Sequence, residues 1–396
     1  MRMRLPLCTV ALATFCSFLL AGEAPNSQPS PVKFVKHRIG TFRSEALGVG
    51  DFNNDGKLDV VAGPFLYLAP DFKPLKIRTL KGKVDDKGKG YHHDFMNGPL
   101  DVDGDGKLDV VSVDWFSQSC TWFRNTLGKD GEWPEALIDN KAGNYECGDL
   151  VDLDGDGKAL EVLPHVKPTV WYEAVKGADG KQKMVKHTIS KKPMKFGAGV
   201  GDINGDGRID VIRPNAWFEA PADIRKGTWK EHPIALGAKG GKATHTSQIV
   251  VCDVDGDKLN DIIASDAHKH GIFWYQQVKK GGKISFKQHV IDASWSQPHS
   301  LTLADLSGDG IPDLVTGKRF YAHNGKDPGA NDPLCVLWYE LKREGGPKWI
   351  KHTVSYDEGI GSGLSIPVLD FDGDGDLDIV VTGKWGGPAW FENKTK

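Results

Sequence analysis

An acidic nonapeptide recurs along this chain at nearly constant intervals, and that period limits the fold more than any other feature. Copies open at Asp51, Asp101, Asp152, Asp202, Asp253, Asp305 and Asp370, about 50 residues apart until a longer last step. Such a period falls in the window that signals propellers and solenoids. The copies read DFNNDGKLD, DVDGDGKLD, DLDGDGKALE, DINGDGRID, DVDGDKLND, DLSGDGIPD and DFDGDGDLD. Oxygen side chains at places one, three, five and nine, with a glycine for the sharp turn, suit a hard cation of calcium size. The expected calcium ligands are therefore Asp51, Asn53, Asp55 and Asp59; Asp101, Asp103, Asp105 and Asp109; Asp152, Asp154 and Asp156; Asp202, Asn204, Asp206 and Asp210; Asp253, Asp255, Asp257 and Asp261; Asp305, Asp309 and Asp313; and Asp370, Asp372, Asp374 and Asp378.

An EF-hand is excluded. Its loop needs glutamate at place twelve and flanking helices, whereas place twelve of the first copy is Ala62 and the loops run into DVVAG, DVVSV or DIVVTG, which read as strands. A metal-free acidic turn is the alternative, since Asp-Gly and Asn-Gly are ordinary turn chemistry. Three copies are imperfect and are expected to be weak or empty. The third carries an extra residue and ends in Glu161, the fifth has Lys258 where glycine is expected, and the sixth offers Ser307 as its third ligand.

Each repeat has two further landmarks. An aromatic pair follows the acidic loop and its strand, as in Trp122-Phe123, Trp171-Tyr172, Trp217-Phe218, Trp274-Tyr275, Trp338-Tyr339 and Trp390-Phe391, with Phe65-Leu66-Tyr67 standing in within the first. A lysine-histidine strand comes next, around His187, His232, His289 and His352. Alternating apolar and polar residues make these half-buried strands, and four strands in each of seven units predict an all-β, seven-bladed propeller of antiparallel blades. The lysine-histidine strand around His37 precedes every acidic loop, while the seventh unit stops after Trp390-Phe391-Glu392 without one. Residues near 33 to 39 are thus predicted to complete the last blade and close the ring, removing an exposed edge.

On these motifs, from about residue 33 onward, the chain resembles the FG-GAP or VCBS repeat family of calcium-binding propellers, related to the propeller head of integrin alpha subunits. The resemblance implies a fold rather than a function. Residues 1 to about 24 combine basic Arg2 and Arg4, an apolar stretch and small residues before Pro25, the pattern of a cleaved signal peptide and hence of a secreted or periplasmic protein. Residues 25–32 read as a linker, and no later run is long enough to span a membrane. Cys120, Cys147, Cys252 and Cys335 are scattered among blades, which argues against a disulfide framework. The formal charge is −3, but 25 of the 53 acids occupy calcium-ligand places, and seven calcium ions would raise the total to +11. Lysines spread everywhere rather than lying in a stripe with stacking aromatics, which fits anionic glycans and not nucleic acid.

Function is sought where the repeat is broken, and histidine is the tracer. Of 13 histidines, His37, His187, His232, His289 and His352 hold the repeated place and read as structural. His92, His93, His245 and His299 precede an innermost strand, and His165, His268, His270 and His323 follow a second strand. In antiparallel blades both places lie at the end away from the acidic loops. His93, His245 and His299 are expected to converge at the central channel, where they could hold zinc or another divalent transition metal. The long insertion at residues 317–340 follows the second strand of the sixth blade, and long ordered loops are usually functional. Its Lys318, Arg319, Tyr321, His323 and Asn324, with QPHS at 297–300, resemble part of the propeller domain of aldos-2-ulose dehydratase, a sugar lyase. That resemblance does not extend to the enzyme's cupin-like domains. It implies elimination from a keto-sugar or related glycan, with His299, Lys318, Arg319, Tyr321 and His323 as the catalytic set. A lyase acting on acidic polysaccharide is a second reading. A third is a non-catalytic, adhesion-like module in which Trp115, Trp295 and Trp385 grip glycan or protein.

Overall fold

In the computed structural model, which describes residues 22–158, 161–178, 180–237 and 241–395, seven four-stranded antiparallel sheets follow one another around a ring. The expected signal peptide lies outside the described residues except for its last three. The innermost strands are Leu47–Gly50, Gly98–Leu100, Tyr145–Val151, Gly199–Gly201, Val250–Cys252, Pro298–Ala304 and Val368–Leu369. Their glycines let neighbouring blades meet at the axis. A Cβ on Gly48 would stand 2.1 Å from the carbonyl oxygen of Asn97, and one on Gly199 would stand 1.7 Å from that of Ile249.

Each acidic loop leads into a second strand buried on both faces, such as Asp59–Ala62 or Asp378–Val381. The ninth-place acid is what ties the loop to its blade. Asp59 accepts the N–H of Phe52 at 2.9 Å with one oxygen and that of Ala69 at 2.9 Å with the other. Asp109, Asp210, Asp261 and Asp378 repeat this double bond to loop and third-strand end. The aromatic and histidine landmarks also meet. His187, His232, His289, His352 and His37 stack on Trp171, Trp217, Trp274, Trp338 and Trp390 at ring separations of 3.9–4.5 Å. In each case Nε2 reaches the Glu or Gln two residues beyond that tryptophan, as from His37 to Glu392 at 2.7 Å. These five histidines are structural, joining the third and fourth strands of their blades.

Closure follows the predicted register. Strand Phe34–Ser44 pairs antiparallel with Gly383–Asn393, placing His37 opposite Trp390. The segment read as a linker differs from expectation. Gln28 bridges to His352 in parallel, Ala24 donates its N–H to the Thr353 hydroxyl at 3.1 Å, and Trp338 Nε1 reaches the Ser30 hydroxyl at 3.3 Å. Residues 24–30 thereby cover the outer edge of the sixth blade, an edge that would otherwise be open to pairing.

Candidate functional site

Chain direction separates two faces. His299 opens its inner strand, Pro298–Ala304, and the acidic loop at Asp305 follows that strand's end. Six residue steps separate the two, roughly 20 Å at about 3.3 Å per residue.

At the histidine end, Glu45, Glu146, His268, His299, Arg319, His323 and Asp327 come together from different blades. Arg319 is buried, with Nε 2.7 Å from Glu45 Oε1 and Nη1 3.1 Å from Glu146 Oε1. The same Nη1 stands 2.8 Å from His299 Nε2. A guanidinium can only donate, so His299 Nε2 accepts and the ring's proton sits on Nδ1, which is buried without a partner. Burial, then Arg319, pushes His299 down to about 4, making it neutral at physiological pH. Burial opposes ionisation of Glu146, yet the Arg319 guanidinium 3.1 Å away holds it well below the usual carboxylate range.

His268 lies between two carboxylates, its Nε2 4.0 Å from Glu146 and its Nδ1 3.3 Å from Asp327. Its ring is 5.2 Å from that of His299 and 4.5 Å from that of His323. His323, half exposed, places Nδ1 2.9 Å from Asp327 Oδ1, and this bond raises its pKa above the ordinary 6.5. The centre thus combines an imidazole held neutral in its interior, His299, with one at its surface held toward its protonated form, His323.

The 317–340 insertion forms its own clasp. Tyr321, His323 and Asn324 all have positive φ, at 55°, 48° and 56°. For non-glycine residues that is a strained conformation kept only where surroundings impose it. Here the surroundings are a hairpin, Gly82–Val84 with Gly90–His92. Tyr91 accepts the His323 N–H at 2.7 Å, Asn324 accepts the Gly90 N–H at 2.8 Å, and Lys384 reaches Tyr321 and Gly90 carbonyls while lying 3.9 Å over the Tyr91 ring. Burial lowers Lys384 to about 8.

Several expected placements are corrected. Lys318 is not in the site: its buried ammonium is bound by Ser296, Gln297 and Gly329 and anchors the insertion. Arg319 is there, but its charge is taken by Glu45 and Glu146, so neither cation is free to steady an enolate. Tyr321 contributes its carbonyl and packs its ring against Phe320. The His93, His245 and His299 trio does not form a metal set. His93 lies 3.0 Å from Asp114 and stacks on Phe116, and His245 Nδ1 accepts the Phe196 N–H at 3.1 Å. The donor groups that do converge, each within 4.8 Å, are Glu146, His268 and His299, and His268, His323 and Asp327. Arg319 already fills the first. His165 is buried between Cys147 and Asp149, 2.8 Å from each. Of the tryptophans, Trp295 donates to the Tyr339 hydroxyl and Trp385 is buried, leaving Trp115 half-buried on this face. Blade order alone places Glu146 and His268 on this face; no spacing in the sequence joins them to Glu45 and Asp327, and only an Asp-Asp-Lys-Gly turn signals the 82–92 hairpin.

On the opposite face the acidic loops are preformed. Asp51 accepts N–H groups of Asp55 and Gly56, and the same pattern recurs from Asp101 and Asp202. Ligand oxygens of Asp101, Asp103 and Asp109 lie within 4.8 Å of one another, as do those of Asp152, Asp154 and Glu161 and of Asp253, Asp255 and Asp261. Two imperfect copies thus keep the arrangement. Glu161 reaches back to the Leu153 N–H at 2.9 Å, its extra methylene offsetting the inserted residue. Lys258 adopts glycine's positive φ, 69°, and still donates its N–H to Asp253. In the sixth copy Lys342 lies 3.0 Å from Asp309, supplying positive charge itself.

A match to the FG-GAP-like repeat family covers residues 101–162 and 226–316. Cartilage acidic protein 1 of Homo sapiens is 23% identical over 383 residues, covering 85% of this chain, which spans only 55% of that protein's length. Among solved structures, a lectin of Agrocybe aegerita that recognises non-reducing terminal N-acetylglucosamine superposes with a TM-score of 0.47 at 15% identity, over 90% of this chain and 87% of that one. The exotype rhamnogalacturonan lyase YesX gives 0.48 at 13% identity over 95% and 74%.

Proposed function

For a chain of FG-GAP-like repeats folded as a seven-bladed propeller, we propose an exported, calcium-stabilised lyase that eliminates water or an alcohol from a keto-sugar or acidic glycan. The observation that carries this reading is the juxtaposition of two imidazoles on one carboxylate: the His268 and His323 rings lie 4.5 Å apart and both bond to Asp327.

In this proposal His268 takes the proton from the carbon next to a carbonyl or carboxyl group, and Glu146 and Asp327 steady the imidazolium that results. The electron pair forms a carbon-carbon double bond as the β carbon-oxygen bond breaks, and His323 donates its proton to the leaving oxygen. Arg319 does not touch substrate but fixes Glu146, and His299 in turn accepts from Arg319 and holds it in place. Calcium would sit in the acidic loops on the far face, in the first, second, fourth and seventh copies and also at Asp152 and Asp253, and would add rigidity without entering the chemistry.

The His268, His323 and Asp327 group has the donors for one zinc or similar divalent ion. Zinc held through His323 Nδ1 and Asp327 would remove the hydrogen bond that keeps this ring protonated. Added zinc is therefore expected to inhibit turnover, which a zinc titration of initial rate would measure. The reading itself is tested by incubating the mature protein with keto-sugars and uronate polysaccharides and following ultraviolet absorbance of a conjugated unsaturated product. Absorbance that grows with protein and disappears in His268→Ala is expected, and its absence on every substrate would leave a binding module instead.

A further inference from the structure

The buried cations at the acid–base centre are already committed: Arg319 to Glu45 and Glu146, Lys318 and Lys384 to carbonyl and side-chain oxygens. An anionic substrate must find its counter-charge elsewhere on this face. A cavity of about 410 Å³ supplies it, lined by Trp115, Asn144, Lys167, Lys195, Asn215 and His245 among others. That volume lies within the range of small-molecule sites, roughly 300–1,000 Å³.

Its construction is specific. Phe196, buried, forms the platform: the Trp115 ring lies 5.0 Å from it and the His245 ring stacks on it at 5.2 Å. Asn144 fixes Trp115 by donating to its carbonyl at 2.8 Å. Asn215 Oδ1 accepts the Lys195 N–H at 2.7 Å, so its amide NH2 is the group left to donate. His245 accepts the Phe196 N–H through Nδ1, which places the neutral ring's proton on Nε2 as a second donor. Burial and then Lys195 push this imidazole down to about 4, keeping it neutral at physiological pH. Lys167 and Lys195 are exposed, and among the described residues neither pairs with a carboxylate. Among the described residues no Asp or Glu lines the cavity. The His245 ring is 6.3 Å from that of His268, so the cavity adjoins the centre. A larger cavity of about 860 Å³, lined by residues 204–288 of the fourth and fifth blades, contains none of the central residues.

We infer that this cavity is a subsite for one acidic sugar residue, a uronate, whose ring lies on Trp115 and whose carboxylate is bound by Lys167 and Lys195. Amide NH2 and imidazole N–H groups meet its hydroxyls, and the chain continues into the centre at His268 and His323. The inference rests on the carbohydrate reading above and narrows its substrate to acidic glycans.

The test is calorimetric binding of a uronate trisaccharide and of its carboxyl-reduced, neutral counterpart to the His323→Ala protein, so that the probe is not consumed. The uronate is expected to bind and the neutral sugar to bind at least tenfold more weakly. Adding Lys167→Ala and Lys195→Ala should weaken uronate binding about tenfold, the range of hydrogen bonds to charged groups, and flatten its salt dependence. Both lysines are exposed, so these variants should melt with the parent. Equal affinity for the two probes, binding indifferent to the lysine changes, or no binding of either would overturn the inference. Uronate binding that depends on the lysines in a protein without lyase activity would keep this subsite and overturn the elimination chemistry. Turnover of neutral keto-sugars alone would do the reverse.

Discussion

Replacing His323 by alanine is expected to lower kcat/KM by about 10²–10⁴, the usual contribution of a positioned general acid, while the melting temperature stays at the parental value. The side chain is 54% exposed and lies beside the His268 ring, and its partner Asp327 keeps His268 at 3.3 Å once the ring is gone. Its removal therefore opens no cavity and strands no buried charge. The Asp327→Asn variant separates a chemical role from a structural one. Asp327 raises the His323 pKa above 6.5, so the ring stays protonated, and competent to donate, to a higher pH than an ordinary imidazole. The alkaline limb of the pH profile should thus lie above 6.5 in the parent and move to lower pH in Asp327→Asn. An unchanged limb would remove His323 from the acid's role. Arg319 is a poor target for such work, since removing one member of a buried ion pair destabilises by roughly 3–5 kcal/mol.

Chelation is expected to have the largest effect on stability. A site held at 100 times its Kd contributes about 2.7 kcal/mol, and at about 2.1 cal/mol/K per residue of unfolding entropy that is about 3–4 °C for a chain of this size. Six filled loops would together raise Tm by on the order of 20 °C, measured as the difference between scans in calcium and in chelator. The sixth loop should add little, because its third place is Ser307, an uncharged hydroxyl where the other copies carry a carboxylate or an amide oxygen. Asp101→Asn and Asp253→Asn should each lower the calcium-dependent part, whereas Asp309→Asn should leave it nearly unchanged. Equal melting with and without calcium would reduce the acidic loops to turns held by their own backbone bonds.

The propeller was legible because its signals are local and repeated. Acidic turn, aromatic pair and histidine strand recur in one order, and each has a local contact to make: Asp59 with Phe52, His37 with Trp390. Even ring closure could be read, since a spare strand at one end matched a missing one at the other. The centre was not legible in the same way. Its residues come from blades far apart in sequence, and which of two neighbours faces the axis depends on strand alternation. Lys318 and Arg319 stand side by side, yet the first turns to Ser296 and Gly329 and the second to Glu45 and Glu146. Glu146 and Cys147 divide likewise, one toward Arg319 and the other toward His165. His93 was misplaced for a related reason: the hairpin from Gly82 to His92 precedes it and turns it toward Asp114 and Phe116.

The most direct test is mass spectrometry of the products formed from an acidic glycan in heavy-oxygen water. Elimination predicts that the fragment with the unsaturated new end is one water lighter than its hydrolysis counterpart and carries no heavy oxygen there, while the fragment with the new reducing end has the same mass by either route. Two saturated fragments that together weigh one heavy water more than the substrate would mean that water attacked the bond, and the acid–base centre would then belong to a hydrolase.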